Sequence, residues 1–208
     1  MYDFLTDLDE YFCEKYANYD KLCVLPDYQM PTMQATEERN GRTYAYTLPP
    51  ETMRLAKQAK KTELLAALKA QMLDKTFSFS FTPYGFFTKI RNKFSKYAFY
   101  KNLKTIFEKY NLTEESSLEN LSIDKEIWKG ICKGKFKPTK NLLFSFALMA
   151  QISFEDTQNL MALCEQEFDY TYEKDVVVSY LLNQHVYNRG MIRAALDEYK
   201  ITNMFIDW

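Results

Sequence analysis

The chain has one histidine, His185, and only five glycines in 208 residues. That scarcity leaves no glycine-rich loop to cradle a phosphate and no histidine cluster to bind a metal or act as a base. The four cysteines, Cys13, Cys23, Cys132 and Cys164, are scattered without a CxxC pair. No zinc site or disulfide framework is legible, and reduced, buried thiols are expected. Long apolar runs are missing as well: none approaches the roughly eighteen residues that a membrane-spanning helix requires. Met1 to Tyr19 carries Asp3, Asp7, Asp9, Glu10 and Glu14, whereas a secretory signal starts positively charged and continues apolar. A soluble, cytoplasmic chain with no membrane partner is therefore expected. Asp7, Asp9 and Glu10 follow one another too closely on a helix to face one metal ion and read as a solvated face. No catalytic residue, metal or cofactor is anticipated, and the chain is not expected to be an enzyme.

What is present is charge and apolar pattern: 26% of residues are charged and 47% hydrophobic, enough for one large core or two small ones. The net charge of −1 hides an asymmetry. Between Phe87 and Lys140 there are 13 Lys and Arg against 6 Asp and Glu, leaving 14 against 22 elsewhere. Binding to a polyanion depends on such local potential rather than on the total.

Phe4, Leu5, Leu8, Tyr11, Phe12 and Tyr16 recur at helical spacing, so Tyr2 to Tyr19 reads as an amphipathic helix with an acidic outer face. Lys21 to Leu25 is a short strand-like run, and Thr32–Thr36 and Arg42–Thr47 flank Arg39-Asn40-Gly41 as a hairpin. Pro50 suits the start of a helix, and Leu64, Leu65, Leu68 and Met72 form the stripe of another between Lys60 and Leu73. Phe77, Phe79 and Phe81 alternate with Ser78, Ser80 and Thr82 as in a half-buried strand. Residues 1–85 thus form a small α+β unit. Between Phe86 and Tyr100, lysines and Arg91 interleave with aromatics. This pattern suits either stacking on single-stranded nucleic acid or, as the favoured reading, an amphipathic linker helix over 86–102.

Beyond the linker the capping residues fall in a recognisable order. Thr113 and Asp124 are placed to cap successive helices, the second running Lys125 to Lys133. Gly134-Lys135-Phe136-Lys137-Pro138-Thr139 follows as a loop, with Gly134 ending one helix and Pro138-Thr139 starting the next. Leu142, Leu143, Phe146, Ala147 and Met149 precede Ile152, and Ser153 caps a further helix through Leu163. This order, from about Leu103 to Ile152, resembles the lambda-repressor-like helix-turn-helix regulators of the Xre family. The Gly134–Thr139 run looks like that family's Gly-Lys-x-x-Pro-Ser loop.

The resemblance implies an α+β unit followed by an all-α lambda-repressor-like helix-turn-helix domain at 103–165, with a helical C-terminal extension at 166–208. It implies a non-enzymatic bacterial or phage regulator that binds double-stranded DNA, with a defence or mobile-element locus as a candidate target and a homodimer as the candidate assembly. Lys125, Glu126 and Lys129 would read base edges, and Lys133, Lys135, Lys137 and Lys140 would contact phosphates. Three features, at four positions, depart from the family pattern. Ser117 replaces an apolar core residue, Glu114 and Glu115 stand where Gln usually meets a phosphate, and Gly130 lies inside the recognition helix. These leave an alternative open: a protein-binding inhibitor or adaptor, such as an antitoxin or an anti-CRISPR-like factor. Its partner would dock on the N-terminal unit, and its helix-turn-helix would no longer read DNA. The apolar run Val176 to Leu182 is expected in the core.

Overall fold

The computed structural model describes residues 4–17, 34–47, 61–75, 81 and 93–208. The expected strands at Lys21–Leu25 and Phe77–Phe81, the helix starting at Pro50 and the linker up to residue 92 lie outside these residues, Phe81 alone excepted. Among the described residues there are eight helices and one antiparallel pair of strands.

Helix α1 spans Phe4–Lys15. Strands β1 (Gln34–Arg39) and β2 (Arg42–Thr47) pair in register, Arg39 opposite Arg42. Their two-residue loop has positive φ at both Asn40 (54°) and Gly41 (71°), the turn whose twist matches a hairpin. Helix α2 covers Lys61–Gln71, and α3 runs unbroken over Lys93–Lys109, burying Phe99, Leu103 and Ile106. Then come α4 (Lys125–Cys132), α5 (Lys140–Met149), α6 (Phe154–Leu163), α7 (Glu173–Asn183) and α8 (Arg189–Glu198).

Helices α5 and α7 form the centre. Every residue from Asn141 to Leu148 is buried, as is every residue from Lys174 to Leu182, the pattern of helices enclosed on all sides. Helix α6 packs on both, and α3 packs on α6. Helix α1 also packs on α7: Leu8 and Phe12 are fully buried, the Tyr11 hydroxyl meets Ser179 Oγ at 3.1 Å, and the Tyr16 hydroxyl donates to Glu173 at 2.7 Å. Helix α2 joins this end through Lys69, whose ammonium bridges Asp9 of α1 and Glu198 of α8, both at 2.7 Å. Buried side chains from α1 to Ile206 make one contiguous core.

Six helices end in the same way. A residue with positive φ follows the last turn, and the next amide reaches back five residues. Gly134 (φ 63°) does this after α4, with Lys135 N bonded to Gly130 O at 2.7 Å. Asn111, Gln151, Glu165, His185 and Lys200 do it elsewhere without glycine, accepting local strain of about 1 kcal/mol each. In four of those five cases the next residue, Leu112, Ile152, Val186 or Ile201, is an apolar residue of the core or packed against it, which offsets the strain.

Among the described residues, no helix is long and apolar enough to cross a membrane. Cys132 and Cys164 are buried and Cys13 is half-buried. Burial pushes the thiols of Cys132 and Cys164 up to about 12, so both pack as small apolar groups. Cys23 lies outside the described residues.

Candidate nucleic-acid interface

Helix α4 is short, and its two ends are fixed by groups close in sequence, a side chain at the first and the backbone at the second. Asp124 Oδ1 accepts from the amides of Glu126 (2.8 Å) and Ile127 (3.1 Å). At the other end Gly134 N bonds to Ile131 O at 2.8 Å, completing the left-handed cap. Between the caps the helix is sharply two-sided. Trp128, Ile131 and Cys132 are buried, the Trp128 ring lying 5.3 Å from that of Phe146 in α5. Lys125, Lys129 and Lys133 recur every four residues and so fall within about 80° of arc. Lys125, Glu126 and Lys133 are exposed, Lys129 is partly so, and Lys129 pairs with Glu126 at 3.1 Å.

The segment before α4 departs from the expected helix. Thr113 makes the reciprocal hydrogen bonds of a cap, Thr113 Oγ1 accepting from Ser116 N at 3.0 Å and Ser116 Oγ accepting from Thr113 N at 2.8 Å, but no helix follows. The chain then makes a run of turns over 114–120. In a helix the Glu114 carbonyl would accept from Leu118 N, but that amide bonds to Glu115 O at 3.0 Å. Glu114 O accepts instead from the Ser117 hydroxyl (3.0 Å) and the Trp128 indole (3.2 Å). The indole also donates to Ser117 Oγ at 3.1 Å, so the buried serine satisfies a buried N–H.

The four lysines expected to contact phosphate divide into two pairs. Lys133 and Lys135 are exposed. Lys137 pairs with Glu165 at 3.0 Å, and Lys140 makes a close ion pair with Asp175, whose carboxylate is 4% exposed. Burial pushes the Asp175 carboxyl up, while the Asp169 amide and the Lys140 ammonium pull it the other way. Lys140 is thus the counter-ion of a buried group.

One part of the site had no signal in the sequence. The C-terminal tail lies against the turn before α4: Ile206 bridges Leu121, Ser122 N donates to Phe205 O at 3.1 Å, and Asp207 N donates to Asn120 O at 3.1 Å. Arg189 of α8 ties the two segments, donating to Asn120 Oδ1 at 3.0 Å and to the Asp207 carbonyl. A pairing this short has no periodicity to read. No group of histidine, cysteine and acidic side chains among the described residues is arranged to hold a metal ion.

The chain matches no protein-family profile, no curated protein and no solved structure.

Proposed function

We propose that this chain is a non-enzymatic regulatory protein that binds double-stranded DNA, with α4 as the base-facing helix of a lambda-repressor-like helix-turn-helix. The carrying observation is the two-sided α4, capped at both ends, with Lys125, Lys129 and Lys133 on its outer side. Lys125 and Lys129 donate to guanine edges, Glu126 accepts from cytosine, and Lys133 and Lys135 neutralise phosphates. Lys137 and Lys140 are spent on Glu165 and Asp175 and contribute less.

The test is duplex binding by fluorescence anisotropy across a salt series, using DNA from upstream of the protein's own gene. Lys125→Ala with Lys129→Ala should weaken the preferred duplex by about tenfold or more relative to an unrelated duplex. A wild-type chain that binds no duplex at about 50 mM salt sinks this reading.

A protein-binding inhibitor or adaptor is the second reading, and one observation favours it. The hairpin exposes Tyr44 (52%) and Tyr46 (48%), aromatics that protein interfaces prefer. Loss of partner binding on Tyr44→Ala with Tyr46→Ala, in a chain that binds no duplex, would establish it.

A further inference from the structure

A cavity of about 200 Å³ opens between the end of α2 and the start of α7. Leu73, 72% exposed, and Tyr172, 47% exposed, stand at its rim. They are two of the six large apolar side chains left exposed among the described residues. Met72, Tyr199 and Ile201 supply further apolar wall. Asp74 and Lys174 also line the cavity, and they form an ion pair at 2.8 Å with both side chains 4% exposed.

This ion pair holds the start of the C-terminal tail. Lys174 Nζ donates to Asn203 O at 3.0 Å, Asn203 N donates to Asp74 Oδ2 at 3.1 Å, and Asn203 Nδ2 donates to Asp74 O at 2.7 Å. Two residues on, Phe205 N donates to Ser145 Oγ at 2.8 Å, and from there the tail pairs with Asn120 to Ser122. Ser122 is two residues before Asp124, the cap of α4. Hydrogen bonds and the short stretches of backbone between them therefore link the cavity to Ser122, two residues before the cap of α4.

We infer that this cavity binds a small carboxylate with an apolar body, whose carboxylate replaces Asp74 on Lys174 and so loosens the tail that braces the turn before α4. The sign of the charge follows from the partners. The Asp74 carboxylate is held by the Lys174 ammonium and by the Asn203 backbone amide, so a guest cation would have to displace both donors. Lys174 has one carboxylate and one carbonyl for three N–H groups, so a guest carboxylate can engage the third, and its like charge then drives the Asp74 carboxylate off the ammonium. Burial also holds the Lys174 ammonium below its ordinary pKa, so a further anionic neighbour is favourable there. Lys75 adds a cation to the lining, and Glu173, the other acid, accepts the Tyr16 hydroxyl. Asp74 lies in coil beyond α2, so its displacement breaks no helical bond. The link to DNA rests on the reading of α4 given above; occupancy of the cavity does not.

The experiment is an amide NMR titration of the full chain, without DNA, using benzoate as probe and benzyl alcohol as its uncharged counterpart. Saturable benzoate shifts are expected at Lys174, Asn203, Phe205 and Ser122, with benzyl alcohol binding at least about tenfold more weakly. Lys174→Met with Asp74→Leu removes both charges together, keeps the core neutral, and should abolish the benzoate response. Absent or non-saturable benzoate shifts, equal binding of the two probes, or an undiminished response in the double variant overturns the site. Shifts that stop at Asn203 without reaching Ser122 overturn the tie. A chain that binds benzoate but no duplex keeps the site and loses only the DNA reading.

Discussion

The ring of Phe136 occupies the space into which a side chain at position 130 would extend. A Cβ built on Gly130 would lie 2.6 Å from both Cδ2 and Cε2 of that ring. Glycine inside a helix costs about 1 kcal/mol relative to alanine, yet here it admits the aromatic side chain that follows the left-handed cap. Gly130→Ala should therefore destabilise the protein by about 1–3 kcal/mol by urea unfolding, against the gain that helix propensity predicts. Adding Phe136→Ala should make Gly130→Ala neutral or favourable. If Gly130→Ala alone stabilises the chain, the packing account of this glycine is wrong.

Ser117 and Trp128 form a second such pair. Ser117→Ala leaves the indole with only the Glu114 carbonyl and should cost about 0.5–1.5 kcal/mol. Trp128→Phe removes the donor, so the cost of Ser117→Ala should shrink in that background. A double-mutant cycle measures this directly, and a coupling energy near zero would show that the hydroxyl is incidental.

Lys135 and Lys140, five residues apart, should behave oppositely. Lys140→Ala strands the buried Asp175 carboxylate and should cost about 2–4 kcal/mol, with recovery on adding Asp175→Asn. Lys135→Ala should change stability by less than about 0.5 kcal/mol, while lowering the salt slope of duplex binding by about one. Calorimetry of both variants, beside their salt titrations, separates a structural lysine from one that meets phosphate.

Asp156, in the first turn of α6, should make the protein acid-sensitive. Burial pushes its carboxyl up, but donation from Lys109 (2.7 Å), the Tyr110 hydroxyl (2.6 Å) and Ser153 Oγ (3.1 Å) outweighs this and holds it below its ordinary 3.8. A carboxyl lowered in the folded state binds fewer protons there than in the unfolded chain. Its stabilisation is thus complete above about 3.8 and is lost as pH falls through the folded value. Urea midpoints between about pH 2.5 and 7 should show a shallower acid limb in Asp156→Asn than in the wild type. Identical limbs would rule out this carboxyl as a contributor.

The local elements were legible because their causes lie within a few residues. Asp124, Thr139 and Ser153 cap α4, α5 and α6 as their short polar side chains predict. Asn40-Gly41 makes the hairpin turn, and Gly134 takes the left-handed conformation expected of it. The helix ends at Asn111, Gln151, His185 and Lys200 were harder to see, since no glycine marks them and the apolar residue that follows each has meaning only once a core exists.

By itself, then, the sequence determined where α4, α5 and α6 start, where the hairpin turns, and which lysines could share a face, all consequences of short-range hydrogen bonding and periodicity, whereas the helix expected after Thr113 is a run of turns. Only the tertiary structure decided what those residues are used for. It takes Lys140 for Asp175, places α1 against α7, fills the gap above Gly130 with Phe136, and lays the tail beside Leu121. The physical reason is that burial sets the worth of a charge, a hydroxyl or a missing side chain, and burial arises between segments far apart in the chain.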